Sequence, residues 1–466
     1  MATPSLSAEG ALRAAADSRR LLATGWLWLA LAALIGAGLF SVLLVLSRAP
    51  YVKDAFPFAD FFRVALIVHV DLSVLVWFAA FAGILWTLNG TARLIEAGWA
   101  ALAFCALGTL LMCAAPFLEA APPIMSNYVP VLDGRVFLTG LLVFAAGCTL
   151  LVLRGMLAAP RVGTRPDAAA ARRFGLNAAA VSAAVALIAF AWSWLELPKS
   201  LDGKAYYEVL FWGGGHVLQF TWTLLMFAAW LWLAEAIGAR APLSPRIAIL
   251  LFGIGLASVF ATPVIYLAYD VVSVEHYSMQ TWLMRIGGGL AIVPFAAAIG
   301  WALVTAPPPG PEARPLRAAL AWSLVLFGAG GLIGLAIHGS NVKIPAHYHG
   351  SIVGVTLAFM GLAYWLLPQL GYRAPRGRLA TLQPTLYGAG QLAHVLGLLW
   401  SGGYGVQRKV AGAEQVLRGA EQVAAMGLMG LGGLLAVIGG LLFIVVVIRA
   451  MRAAEARSGG PASARY

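Results

Sequence analysis

Ile344-Pro345-Ala346-His347-Tyr348-His349-Gly350 opens an apolar run that continues to Leu367. An α-helix turns by about 100° per residue, so an offset of two sets His347 and His349 roughly 200° apart on the helix surface. The two imidazoles leave opposite sides of one helix. A single chelated ion cannot readily take both, so the pair calls for two separate partners flanking the helix.

The run is one of many. The 466-residue chain is 61% hydrophobic and 11% charged, with a mean hydropathy of +0.86; that composition excludes an ordinary soluble globular protein. Crossing a bilayer as a helix takes ~20 apolar residues, and such stretches recur from end to end with no soluble domain between them. They fall at Trp26–Leu46, Phe62–Leu88, Ala97–Phe117, Val136–Leu157, Phe174–Trp194, Tyr207–Ile237, Ile247–Tyr269, Ser278–Val304, Leu316–His338, Pro345–Leu367, Leu382–Gly405 and Ala424–Ile448. The expectation is an all-α polytopic membrane protein of about twelve transmembrane helices. Residues 1–24 form a cytoplasmic segment, 25–450 the membrane domain and 451–466 a cytoplasmic tail.

Charge orients the spans. The chain carries 31 Lys and Arg against 19 Asp and Glu, a net charge of +12. With the N-terminus inside, the bases gather on the inner side, led by the loop with Arg154, Arg161, Arg165, Arg172 and Arg173, as the positive-inside rule requires. The basic balance thus reports membrane orientation and implies no nucleic acid. Arg13, Arg19 and Arg20 precede the first span, and no small-residue cleavage site follows it, so it reads as a retained span. The expected setting is a bacterial cytoplasmic membrane, with both termini cytoplasmic.

Cys105, Cys113 and Cys148 all fall within apolar spans and read as small core residues. There is no Cys-x-x-Cys-His for covalent haem attachment and no paired-cysteine copper motif, so an electron entry site of either kind belongs to another subunit. Glycine runs such as Gly213–Gly215 suit close helix packing in lipid.

Six of the seven histidines, His69, His216, His276, His338, His347 and His349, map to the outer ends of spans or to outer loops; His394 sits in mid-span. Intramembrane imidazoles are costly without partners. Convergence at one depth indicates a cofactor layer, and with His347 and His349 diverging, two haems are the economical reading. His69, at the same depth, is placed to supply a second axial ligand to one of them. A haem with two histidine ligands passes electrons but binds no gas, whereas a haem held by one histidine does both.

These segments resemble the catalytic subunit of the haem-copper oxidase superfamily, which includes cytochrome c oxidase subunit I and the nitric oxide reductase large subunit. The resemblance is carried in order by His69-Val-Asp-Leu, Leu210-Phe-Trp-Gly-Gly-Gly-His216, Ala261-Thr-Pro-Val264, the Ile344–Gly350 segment and Tyr364-Trp-Leu-Leu-Pro368. It implies a subunit I-like helix bundle, with His69 and His349 ligating a low-spin haem. His347 would ligate the high-spin haem at the reaction site, and His216 a distal metal there. Arg408 and Lys409 stand where the family keeps bases for haem propionates, a charge-assisted pairing.

Two departures bear on the reaction. After Thr262-Pro263-Val264 the family places adjacent histidines that complete a copper site; here Ile265-Tyr266-Leu267-Ala268 follows. Four residues beyond His216 the oxidases carry a tyrosine; here stands Phe220. A non-haem iron or copper would need Asp270, Glu275 or His276, expected in an outer loop, to fold over His216. The resemblance implies a diheme oxidoreductase; the haem type is open, with b-type placed first. Electrons come from a c-type cytochrome subunit, a copper-containing subunit or quinol, and NO or O2 is the substrate. NO is placed first because its reduction does not need the missing tyrosine. A non-catalytic gas sensor, haem carrier or assembly protein is the alternative. A secondary transporter of similar size is a third class, though broken helix pairs and inverted repeats are not evident.

Overall fold

The computed structural model describes residues 18–52, 59–338 and 341–458. Residues 1–17 of the expected N-terminal segment and 459–466 of the expected tail lie outside these. Ten long helices run as α1 (Ser18–Leu46), α2 (Phe61–Asn89), α3 (Ile95–Leu118), α4 (Arg135–Leu157), α5 (Ala168–Glu196), α6 (Gly203–Ala236), α7 (Pro245–Ala268), α8 (Val274–Thr305), α9 (Arg314–Leu335) and α10 (Lys343–Gln369). They are followed by α11 (Arg378–Gly403) and α12, whose apolar part is Ala420–Arg452. All but α11 are long and apolar enough to cross a membrane.

Side-chain chemistry sets several boundaries. Asp167 caps α5 by accepting Ala170 N at 2.7 Å, Ser244 caps α7 ahead of Pro245, and Ser273 caps α8 by accepting His276 N at 3.1 Å; each satisfies a first-turn amide that has no partner inside its helix. The last of these corrects the sequence reading: Glu275 and His276 belong to the first turn of α8, not to a loop. Three helices are irregular. α2 contains a π-helical turn at Asp71–Val76 and α8 another at Met284–Gly288. α7 breaks at Phe260, where the ring of Pro263 blocks the carbonyl four residues back. A short antiparallel ribbon, β1 (Pro123–Ile124) with β2 (Val131–Leu132), lies between α3 and α4.

The chain divides into two compact units. The first comprises Met1–Leu44, Pro57–Leu231 and Ala241–Trp301. Its core includes a stack of Phe227 on Phe295, with ring centroids 4.2 Å apart. Buried Arg154 donates to Leu94 O at 3.1 Å and Thr91 O at 3.3 Å, so its charge is spent on the carbonyls of the α2–α3 turn. Cys105 is buried and, like Cys113 and Cys148, is a free thiol.

The second unit comprises Val45–Phe56, Trp232–Arg240 and Ala302–Tyr466. Here α11, of modest hydropathy, carries a buried polar residue that ties it to its neighbours. Gln383 is fully buried; it accepts Tyr364 Oη at 2.9 Å and donates to Gly439 O at 3.2 Å, tying α11 to α10 and α12. A buried amide so satisfied stabilises helix association where water is absent.

Candidate functional site

Within the second unit, a glycine contact seats His347. Gly350 of α10 lies against Gly330 of α9 so closely that a Cβ on Gly330 would stand 2.3 Å from Ser351 N. That approach lays the His347 ring on α9, with Nδ1 2.7 Å from Gly330 O. A carbonyl only accepts, so Nδ1 carries the proton and Nε2 keeps the lone pair that a metal requires. His349 turns towards α11, its ring centroid 4.6 Å from that of His394. His394 in turn has Nδ1 2.9 Å from Met429 O of α12. Sequence reading gave His394 no role; only its cost as a mid-span imidazole marked it. Arg408 and Lys409 follow α11 and are half-buried, Lys409 with a left-handed φ of 63°. His338 is exposed beyond the end of α9.

Within the first unit, His69 stands just before the π-helical turn of α2 with Nδ1 2.9 Å from Ala37 O of α1, again fixing the tautomer that leaves the lone pair on Nε2. His216 on α6 is arranged differently. Its Nδ1 bonds Trp212 O one turn back at 2.8 Å, and its Nε2 lies 3.0 Å from the Tyr128 hydroxyl. The three glycines before it receive rings. A Cβ on Gly213 would stand 2.2 Å from Tyr266 Oη, on Gly214 2.4 Å from Phe190, and on Gly215 2.2 Å from Tyr128.

Beyond the break in α7, Ile265 and Tyr266 face inward while Leu267 and Ala268 are exposed. The Tyr266 hydroxyl sits 2.7 Å from Ser193 Oγ and donates to Ala189 O at 3.1 Å. Asp270 and Glu275 are exposed, and Asp270 Oδ1 accepts Val272 N at 3.0 Å to close its own turn. His276 is buried with its ring edge-on to Tyr266 at 4.6 Å. The expected gathering of Asp270, Glu275 and His276 over His216 does not form, because the Ser273 cap draws residues 274–276 into a helix. Among the described residues no group of three His, Cys, Asp or Glu side chains is arranged to hold a metal ion.

Hydroxyls on α6 and α7 bond locally: Thr223 donates to Gln219 O at 2.8 Å and Ser258 to Ile254 O at 3.0 Å, the usual bonding of such side chains to their own helix in lipid. Thr221 pairs with Ser182 at 2.9 Å.

The donor chemistry therefore separates two kinds of histidine. His69 and His347 each have Nδ1 held by a carbonyl on a neighbouring helix, which leaves Nε2 the lone pair that coordination requires and fits a haem iron. His216 has both nitrogens in hydrogen bonds and, among the described residues, belongs to no group of three side chains able to hold a metal ion, which does not fit a distal metal.

A polytopic helical membrane protein with imidazoles set into its helices is what this arrangement defines. The family model described as "Cytochrome C and Quinol oxidase polypeptide I" matches residues 22–442, and the chain belongs to that family; it is a haem-copper oxidase subunit I-like membrane subunit, a family of haem-containing oxidoreductases. An uncharacterized protein of Rickettsia prowazekii (strain Madrid E) is 29% identical over 504 residues, covering 92% of this chain and 96% of the relative. An uncharacterized protein of Aquifex aeolicus (strain VF5) is 26% identical over 365 residues, covering 77% and 88%. The fold is similar to a heme-copper terminal oxidase dimer solved by cryo-EM, with a TM-score of 0.69 at 17% identity over 94% of this chain and 84% of that one.

Proposed function

We propose that this protein is a diheme oxidoreductase subunit of the bacterial cytoplasmic membrane that reduces a small gas, with NO placed ahead of O2. The observation that carries it is the divergence at α10: His347 bonds Gly330 O of α9 at 2.7 Å, while His349 packs on His394 of α11, so two imidazoles within one turn serve different partners. Haem iron would supply one-electron transfer and gas binding. In this reading His349 and His69 would hold the low-spin haem, and His347 the haem of the gas site. Its Nδ1–H bond to Gly330 O holds the ring in one tautomer and strengthens Nε2 as a donor. Arg408 and Lys409 pair with propionates. Electrons arrive on the outer side from a c-type cytochrome, a copper-containing subunit or quinol. Phe220, lacking a phenol, argues for the NO reaction over oxygen cleavage.

A second reading, a haem-based gas sensor, carrier or assembly protein, is favoured by the closed hydrogen bonding of His216. Anaerobic NO consumption and oxygen uptake by the purified, chemically reduced protein separate the two. Steady NO loss with N2O formation supports the reductase, oxygen uptake without NO turnover reverses the substrate order, and gas binding without turnover of either supports the sensor.

A further inference from the structure

The loop between α3 and α4 reaches α6 at three points. Asn127 donates to Glu208, Tyr207 Oη donates to Asp133 Oδ1 at 3.0 Å, and Tyr128 meets His216 at 3.0 Å. The strand pair β1 and β2 shapes this loop into a hairpin, and Val131 and Leu132 at its return are buried. Tyr128 sits in a seat made for it. Its ring lies over Gly215, where any Cβ would collide with it, and its edge meets Trp212 at 5.7 Å and 81°.

Donor and acceptor roles follow from the partners. Trp212 O only accepts, so His216 Nδ1 carries the proton and Nε2 is an acceptor. The Tyr128 hydroxyl must then donate to Nε2, and its oxygen accepts from Gln219 Nε2 at 3.1 Å. Gln219, Tyr128, His216 and Trp212 O form one chain of hydrogen bonds running in a single direction. The atom through which His216 would coordinate a metal is the atom that receives the phenol proton. A coordinated Nε2 has no lone pair left to accept it, so the two states exclude each other.

We propose that His216 serves as the hydrogen-bond seat of the β1–β2 hairpin, Tyr128 taking the coordination position, so that the helix-six site of this protein is metal-free and closed by the hairpin. The absence of further ligands on α7, where Tyr266 faces inward and Leu267 outward, is an independent observation in the same direction. The inference stands whether or not the haem ligands are assigned correctly, since it uses none of His69, His347 and His349.

Two measurements on the full-length purified protein test it. Elemental analysis should find iron equal to the haem present and no stoichiometric copper or extra iron. Hydrogen–deuterium exchange should show amides of residues 123–132 exchanging several-fold to about tenfold faster in Tyr128→Phe and in His216→Gln, the range expected for losing one buried hydrogen bond, and no faster again in the double variant. Tyr128→Phe keeps the ring over Gly215, so it remains informative if His216→Gln does not fold. One equivalent of copper or non-haem iron that disappears in His216→Ala would overturn the proposal, as would unchanged hairpin exchange in Tyr128→Phe. Colourless protein would defeat the haem assignment while leaving this proposal standing.

Discussion

The histidines of this chain are sorted by what their Nδ1 atoms do and by whether Nε2 is then available. His69, His347 and His394 each hand Nδ1–H to a carbonyl of another helix, at 2.9, 2.7 and 2.9 Å, and imidazoles held this way are preorganised donors. His347→Ala is expected to remove the CO- and NO-sensitive part of the reduced spectrum while leaving the low-spin bands, and His349→Ala to do the reverse; difference spectra of the reduced variants check both. Tyr266 is a structural residue by contrast. Tyr266→Phe should cost about 1 kcal/mol, the net value of one buried hydrogen bond, seen as a lower thermal midpoint with unchanged haem content. Burial left Ser193 and Ala189 O as partners for that hydroxyl, and nothing in the spacing of the sequence identified them.

At the scale of elements, close helix approach is what positions the imidazoles. α11 and α12 meet through glycines: a Cβ on Gly432 would stand 2.3 Å from His394 N and one on Gly397 2.4 Å from Met429 N. Backbone atoms cannot step aside as a side chain can, so Gly432→Ala should cost about 1–3 kcal/mol through overpacking and loosen His394. Gly427→Ala, with nothing within 4 Å of the added atom, should be neutral or slightly stabilising on helix propensity. Thermal unfolding of the two variants in one detergent makes the comparison.

The helices themselves were legible, because hydropathy over ~20 residues is a strong signal. α11 was legible as a helix too, but of the twelve it is the one not counted as long and apolar enough to cross a membrane. Boundaries were less so: α5 starts at Ala168, not Phe174, because Asp167 caps it, and α8 starts at Val274, not Ser278, because Ser273 does. The distal region was the least legible. The break at Phe260 resets which α7 residues face inward, and Tyr128 reaches His216 from a loop 88 residues earlier in the chain, a partnership that no local pattern encodes.

For the whole molecule, the membrane orientation expected from basic loops rests chiefly on the one carrying Arg161 and Arg165 between α4 and α5, with Arg173 in the early turns of α5. Arg173 there donates to Arg161 O at 3.0 Å. A cysteine at Arg165 should react with an impermeant maleimide only after the cells are opened, whereas one at Asp202, in the next loop, should react in intact cells; the opposite pattern would invert the topology and put electron entry on the wrong side. The account as a whole depends on iron porphyrin held by the α10 histidines. The most direct measurement is the pyridine haemochrome of the purified protein, quantified per chain, for the wild type and for His347→Ala and His349→Ala. Two haems per chain, with one lost or altered in each variant, is the predicted result. A protein without haem, or one whose haem content and spectrum are the same in all three, would contradict it.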